Sequence, residues 1–169
     1  MPLGLHENFP KNVHSIEGFR TNVPTKQLQK KLLRIVHEVN REDFTFEEVT
    51  NPTVPKGTIV FEFGLANECN FSYIDEEELK KALIFINKNR LELLDFFCSI
   101  RYYKINGNKK TPLKFDYFLL RTVFGKEVLE FQVYHERGPR YISPQDLVVF
   151  IVNKLNKAQR KKILKVIND

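Results

Sequence analysis

The chain has 169 residues, 42% of them hydrophobic, which is enough for one domain that buries about two-thirds of its unfolded surface and excludes a mainly disordered chain. Its net charge of +6 is unevenly divided: residues 96–169 carry 15 Lys+Arg against 6 Asp+Glu, a net of +9, and residues 1–95 carry 12 against 15, a net of −3. No apolar run approaches the ~18 residues of a membrane span, no basic-then-apolar leader opens the chain, and Cys69 and Cys98 lack CxxC partners. These features exclude membrane and zinc-ribbon classes and predict a cytoplasmic protein with two reduced, buried thiols. Abundant Lys and Glu with one Met and no Trp fit a thermophilic source.

Residues 1–24 hold Pro2, Pro10 and Pro24 without a sustained period, predicting an irregular arm ahead of a single domain over residues 25–169. Thr25 is placed to cap a helix from Lys26 to about Asn40, with Leu28, Leu32, Ile35, Val36 and Val39 on one stripe. Phe44 and Phe46 alternate as in a short strand, and Pro52 and Pro55 mark a loop. Thr58 to Leu65 reads as a strand with Ile59, Phe61, Phe63 and Leu65 on one face. Asp75 caps the next helix, and Glu76, Glu77 and Glu78 fill a first turn where the helix dipole favours negative charge, a better account of the acidic cluster than a metal site.

The basic, aromatic-rich part, residues 96–169, reads as three strands and two helices. Phe96 to Ile105, Leu113 to Phe124 and Glu127 to His135 form a meander, the last two joined by a Gly125-Lys126 hairpin. Ser143-Pro144-Gln145-Asp146 starts a helix buried through Leu147, Phe150, Ile151 and Leu155. A last helix is expected from about Lys157 to Ile167. The fold class is α+β: an antiparallel sheet, the meander plus one or two further strands, packed against about four helices.

The Gly125-Lys126 turn predicts Tyr117 opposite Tyr134, Leu119 opposite Gln132 and Arg121 opposite Glu130. Phe118, Leu120, Thr122, Leu129, Phe131 and Val133 then share the core face, joined by Cys98, Ile100 and Tyr102. The other face presents Arg101, Tyr103, Phe115, Tyr117, Arg121, Gln132 and Tyr134. Two readings of it stand: an exposed platform of rings and guanidinium groups, or a face covered by the first helix or the N-terminal arm. Arg137, Arg140 and Tyr141 flank Gly138-Pro139 in a loop suited to a phosphate or to local carboxylates.

The aromatic, basic sheet leading through Arg137-Gly138-Pro139-Arg140-Tyr141 to a Ser-Pro-capped helix resembles, over residues 96–155, archaeal single-stranded DNA-binding proteins of the ThermoDBP group. It is similar in outline to the strands-then-helix modules of positive-cofactor transcriptional coactivators. The resemblance implies binding of single-stranded DNA in a hydrophobic cleft rimmed by cations. The expected function is thus non-catalytic binding of single-stranded nucleic acid, DNA ahead of RNA, through Arg101, Tyr103, Phe115, Tyr117, Arg121, Tyr134, Arg137, Arg140 and Tyr141. The alternative is an adaptor docking onto an acidic protein, or a homo-oligomer, through the same face. A metal-dependent nuclease built on Asp116 and Glu130 is a third reading, weakened because Gln132 stands where Lys is wanted and the two acids fall on opposite faces. His6, His14 and His37 show no metal spacing, and no P-loop, GxGxxG or Gly-x-Ser-x-Gly occurs, so no metal and no cofactor is expected.

Overall fold

The structure is a computed structural model that describes residues 3–50, 57–68 and 70–167; Pro52, Pro55 and Cys69 lie outside the described residues. Among these, nine strands and four helices follow one another: β1 Ser15–Arg20, α1 Thr25–Val39, β2 Asp43–Thr45, α2 Phe46–Val49, β3 Gly57–Asn67, β4 Asn70–Tyr73, α3 Glu76–Lys88, β5 Leu93–Asn106, β6 Lys109–Pro112, β7 Asp116–Gly125, β8 Val128–Arg137, α4 Pro144–Lys157 and β9 Lys165–Val166. The strands form one sheet in the order β2-β3-β5-β7-β8-β1-β9, with β4 added on β3 and β6 on β5. Every pairing is antiparallel. The α+β class and the meander β5-β7-β8 are as expected, inside a larger sheet.

Alternation along the strands sends Ile59, Phe61, Phe63, Phe96, Cys98, Ile100, Tyr102, Phe118, Leu120, Phe131 and Val133 to one face, where all are buried. The helices close over that face. Leu28, Leu32, Leu33 and Val36 of α1, Ala82 and Ile86 of α3, and Leu147, Ile151 and Leu155 of α4 join the same core cluster. Helix starts obey their local signals: Asp75 accepts from the Glu78 amide, and Ser143 and Asp146 form a reciprocal box with Pro144 in the first turn. Thr25 instead opens the first turn of α1 behind Pro24, which has no side-chain cap bond to offer. All described helices draw their buried residues from the same core, so the opposite sheet face has no helical roof.

Other expectations change as well, and Phe46, expected to continue the strand of Phe44, opens α2. Ser15–Arg20, expected in the irregular arm, pairs with β8. The tight hairpin turns at Lys126-Glu127, because Glu127 takes the left-handed backbone (φ 59°) and Gly125 pairs with Val128. Leu119 therefore faces Tyr134 and Arg121 faces Gln132, a shift of two that leaves each side chain on its predicted face. The strand expected from Leu113 begins only at Asp116, residues Lys109–Pro112 of the expected loop pair with β5 as β6, and Ser99, not Arg101, lies opposite Tyr117. Finally, residues after Lys157 form a turn, not a helix. Asn156 Oδ1 accepts the Ile163 and Leu164 amides at 2.9 Å, its Nδ2 donates to Leu164 O, and the chain returns as β9 on the otherwise unpaired edge of β1.

Asn40, at the end of α1, ties helix to sheet: its Nδ2 donates to Phe63 O and Ile74 O, and its Oδ1 accepts the Phe63 amide at 2.7 Å. Replacing it by alanine removes the partner of the Phe63 amide and of Ile74 O beside the core, while Phe63 O keeps the Ile74 amide. Asn40→Ala is expected to lower the free energy of urea unfolding by about 1–3 kcal/mol with little change in slope.

Candidate nucleic-acid interface

The helix-free face carries a chain of rings that crosses three strands. Phe71 (β4) lies 5.6 Å from Phe97 (β5), Phe97 lies 5.7 Å from Tyr117 (β7), and Tyr117 lies 6.1 Å from Phe115, which precedes β7. All four are half-buried and mutually tilted by 32–45°, so each packs an edge on its neighbour and keeps part of a face open. Two guanidinium groups sit over the row: Arg137 Cζ is 4.8 Å from the Tyr117 ring centre and Arg101 Cζ is 5.2 Å from that of Phe115. Arg101 Nε also lies 2.7 Å from Glu62 Oε1. Tyr103, next along β5, is covered by the Lys110 ammonium at 4.5 Å.

The N-terminal arm walls this row on one side. Its Gly4 amide donates to Ala66 O and its Gly4 carbonyl accepts from the Asp95 amide. Asp95 is fully buried on the open face, where Arg121 grips both oxygens at 2.8 and 2.9 Å and the His6 amide adds a third bond at 2.8 Å. Arg121 also donates to His6 O and lies 4.5 Å over the Phe9 ring. At the arm's far end His14 stacks on Tyr134 at 4.8 Å, and its Nδ1 accepts the His135 amide at 2.9 Å. Arm and row together bound a groove of about 460 Å³, floored by Phe71, Phe97, Tyr117 and Leu119 and closed by His6, Asn8, Pro10, Glu136 and Arg137. A larger hollow of about 970 Å³ lies at the hairpin end, between loops bearing Lys26, Arg90 and Lys126 but also Glu92 and Glu127; it has mixed charge and no row of rings.

Behind the face, the loop after β8 is organised by one buried carboxylate. Asp116 receives Tyr102 OH at 2.5 Å, His135 Nε2 at 2.8 Å, and the amides of Arg140 (2.7 Å) and Tyr141 (3.0 Å). Arg140 Nε donates to His135 Nδ1 at 3.3 Å, which assigns the remaining ring proton to Nε2 and the bond to Asp116. Burial and the bond to Asp116 push the Tyr102 phenol far above its ordinary value, so it stays protonated and donates. Gly138 (φ 120°) lets the loop approach: a Cβ there would clash with Phe115 O and the Asp116 side chain. Every donor around Asp116 is accounted for, so the cluster holds the loop and offers no spare group for chemistry.

The expected site residues are thus sorted. Arg101, Tyr103, Phe115, Tyr117 and Arg137 share the open face beside the groove. Arg121 and Tyr134 are on the same face but engaged by the arm. Arg140 is exposed at the strand ends, and Tyr141 turns to the core side, 4.8 Å edge-on to Tyr102 and near Phe46. Asp116 is on the core face and Glu130 on the open one, so these carboxylates do not converge. Phe97 and Phe71 were not anticipated. Phe97 lies within the strand expected from Phe96 and follows from alternation with Arg101 and Tyr103; Phe71 lies in a four-residue strand without a pattern to announce it.

No protein-family model matches the chain, and neither the curated proteins nor the solved structures contain a significant match to it.

Two outcomes follow from this geometry. Asp116→Asn sets an amide against four donors and is expected to cost at least about 3 kcal/mol in urea unfolding, with loss of amide protection at Arg140 and Tyr141. Burial, with Arg140 and His135 close by, lowers the His14 pKa below its ordinary 6.5. The unfolded chain therefore takes up the proton first, so this contact contributes fully above about pH 6.5 and is lost as pH falls through the lowered value. Protonation also removes the acceptor for the His135 amide, whose protection against hydrogen exchange, relative to the intrinsic rate at each pH, should fall as pH drops through that lowered value.

Proposed function

We propose that the protein binds single-stranded nucleic acid, DNA in the first instance, without catalysing a reaction on it. The observation that carries this reading is the row Phe71-Phe97-Tyr117-Phe115 on a sheet face without a helical roof, with Arg137 and Arg101 over its rings. Unstacked bases need flat apolar partners, each worth about 1–3 kcal/mol, and their phosphates need cations close by. The arm narrows the face to a groove suited to a strand, while a duplex keeps its bases stacked inside and has no use for the rings. With Arg121 held by the fully buried Asp95, the cations of this reading are Arg137 and, exposed but shared with Glu62, Arg101, with Lys110 at the margin beside Tyr103.

A fluorescently labelled oligonucleotide titrated at two salt concentrations, with duplex as the control, tests the proposal. Phe97→Ala and Tyr117→Ala are each expected to weaken binding by about 1–3 kcal/mol while leaving the salt slope nearly unchanged. Arg137→Ala is expected to reduce the slope by about 0.7, one phosphate contact. Absence of binding by the wild-type protein at low salt overturns the proposal and transfers the aromatic face to a protein partner.

A further inference from the structure

A second group of cations without a carboxylate partner among the described residues lies away from the aromatic row. Residues 157–165 hold Lys157, Arg160, Lys161, Lys162 and Lys165 and no acid. The Asn156 turn, with Leu164 buried beneath it at 2% exposure, sets part of this run against the end of β1. The result is a groove of about 730 Å³ lined by Arg20, Lys161, Lys162 and Lys165 together with Thr21, Asn22, Val23 and Ile163. Among the described residues no carboxylate lines it, and none of its four cations is within ion-pair distance of one. By contrast, Arg101 and Arg121 on the aromatic face each have a carboxylate at 2.8 Å or less.

The strand register adds an independent sign. Arg20 and Lys165 are direct partners in the antiparallel β1–β9 pair, so their side chains leave the sheet on the same side. Like charges in that position repel and disfavour the pairing unless an anion lies between them. By alternation from Ile16, which faces Gln132, that side is the open one. No aromatic ring lines the groove, so it suits phosphates and not bases.

We propose that this edge is a second, base-independent contact, in which Arg20, Lys165, Lys161 and Lys162 take the phosphate backbone of the nucleic acid whose bases occupy the aromatic row. The proposal rests on the single-strand reading above. Along β8, from Val128 beside Arg20 to Arg137 beside Tyr117, the two contacts are roughly 30 Å apart. A ligand that reaches both is then on the order of ten nucleotides, inside the range of single-strand sites.

Two measurements test the proposal, each on the full chain and on Arg20→Gln/Lys165→Gln, whose exposed positions leave the core untouched. In the first, oligothymidylates of 5 and 15 nucleotides are titrated across a salt series. Wild-type protein is expected to bind the longer strand more tightly and with a steeper salt slope, and the double variant to lose about 0.7 of slope for each phosphate contact removed on the 15-mer. A 15-mer slope and affinity identical in the two proteins overturn the second contact, even if Tyr117→Ala still weakens binding. In the second, inorganic tripolyphosphate is added during thermal unfolding. It is expected to raise the wild-type melting temperature and to leave the double variant's unmoved. If no oligonucleotide binds, the single-strand reading fails and this proposal with it; a tripolyphosphate shift confined to wild type would then leave the groove as a polyanion site of another kind, and equal shifts would remove the site altogether.

Discussion

The buried pair between Asp95 and Arg121 decides what the second sheet face can do. A carboxylate with no exposed surface is costly to desolvate, and only the forked guanidinium and the His6 amide compensate it. The guanidinium comes from the neighbouring strand, where Arg121 lies opposite Asp95, but the His6 amide is available only when the arm crosses the sheet at this row, with Phe9 beneath Arg121 and His14 on Tyr134. The arm is therefore fixed as a wall and does not spread as a cover. Everything on the far side of it, from Phe71 to Phe115, keeps part of its surface in solvent. Face and arm thus stand between the two readings of the sequence: one part covered, one part open.

Asp116 plays the matching part on the core side. It stands where β7 begins, next to the irregular pairing at Tyr117/Phe118, and collects donors from β5, β8 and the following loop. Charge-assisted bonds of this kind are shorter and stronger than neutral ones, and together they hold the loop that carries Arg137 to Arg140 against the strand ends. The aspartate–histidine pair has the outline of acid–base machinery, but its histidine is closed on both ring nitrogens, by Asp116 and by Arg140. Position, not chemistry, is what this cluster supplies, and the aromatic row depends on it because Arg137 leads into this loop and Phe115, next to Asp116, abuts it at Gly138.

Much of the fold was legible because side-chain alternation has a period of two. The hairpin was displaced by two in register, and β5 against β7 by two as well, yet Cys98, Ile100, Tyr102, Phe118 and Leu120 all face the core as expected. Even shifts preserve the face and change only the neighbour. The neighbours are what the site is made of, so the opposition of Arg101 and Tyr117 was replaced by a row running through Phe97. The basic tail shows the limit of helical propensity: Lys157 to Ile167 favours a helix locally, but a side chain at Asn156 and the free edge of β1 offered its backbone other partners.

The sequence by itself determined the class of the fold, the core face of each long strand, the caps of α3 and α4, and the concentration of cations and rings in residues 96–169. These follow from local periodicity and composition, which act over a few residues. Only the tertiary structure decided which cations are neutralised, where the arm lies, and which four rings meet. Each of those depends on contacts between residues far apart in the chain, such as His6 with Asp95 and Asp95 with Arg121, and their pairing is set by strand order and register.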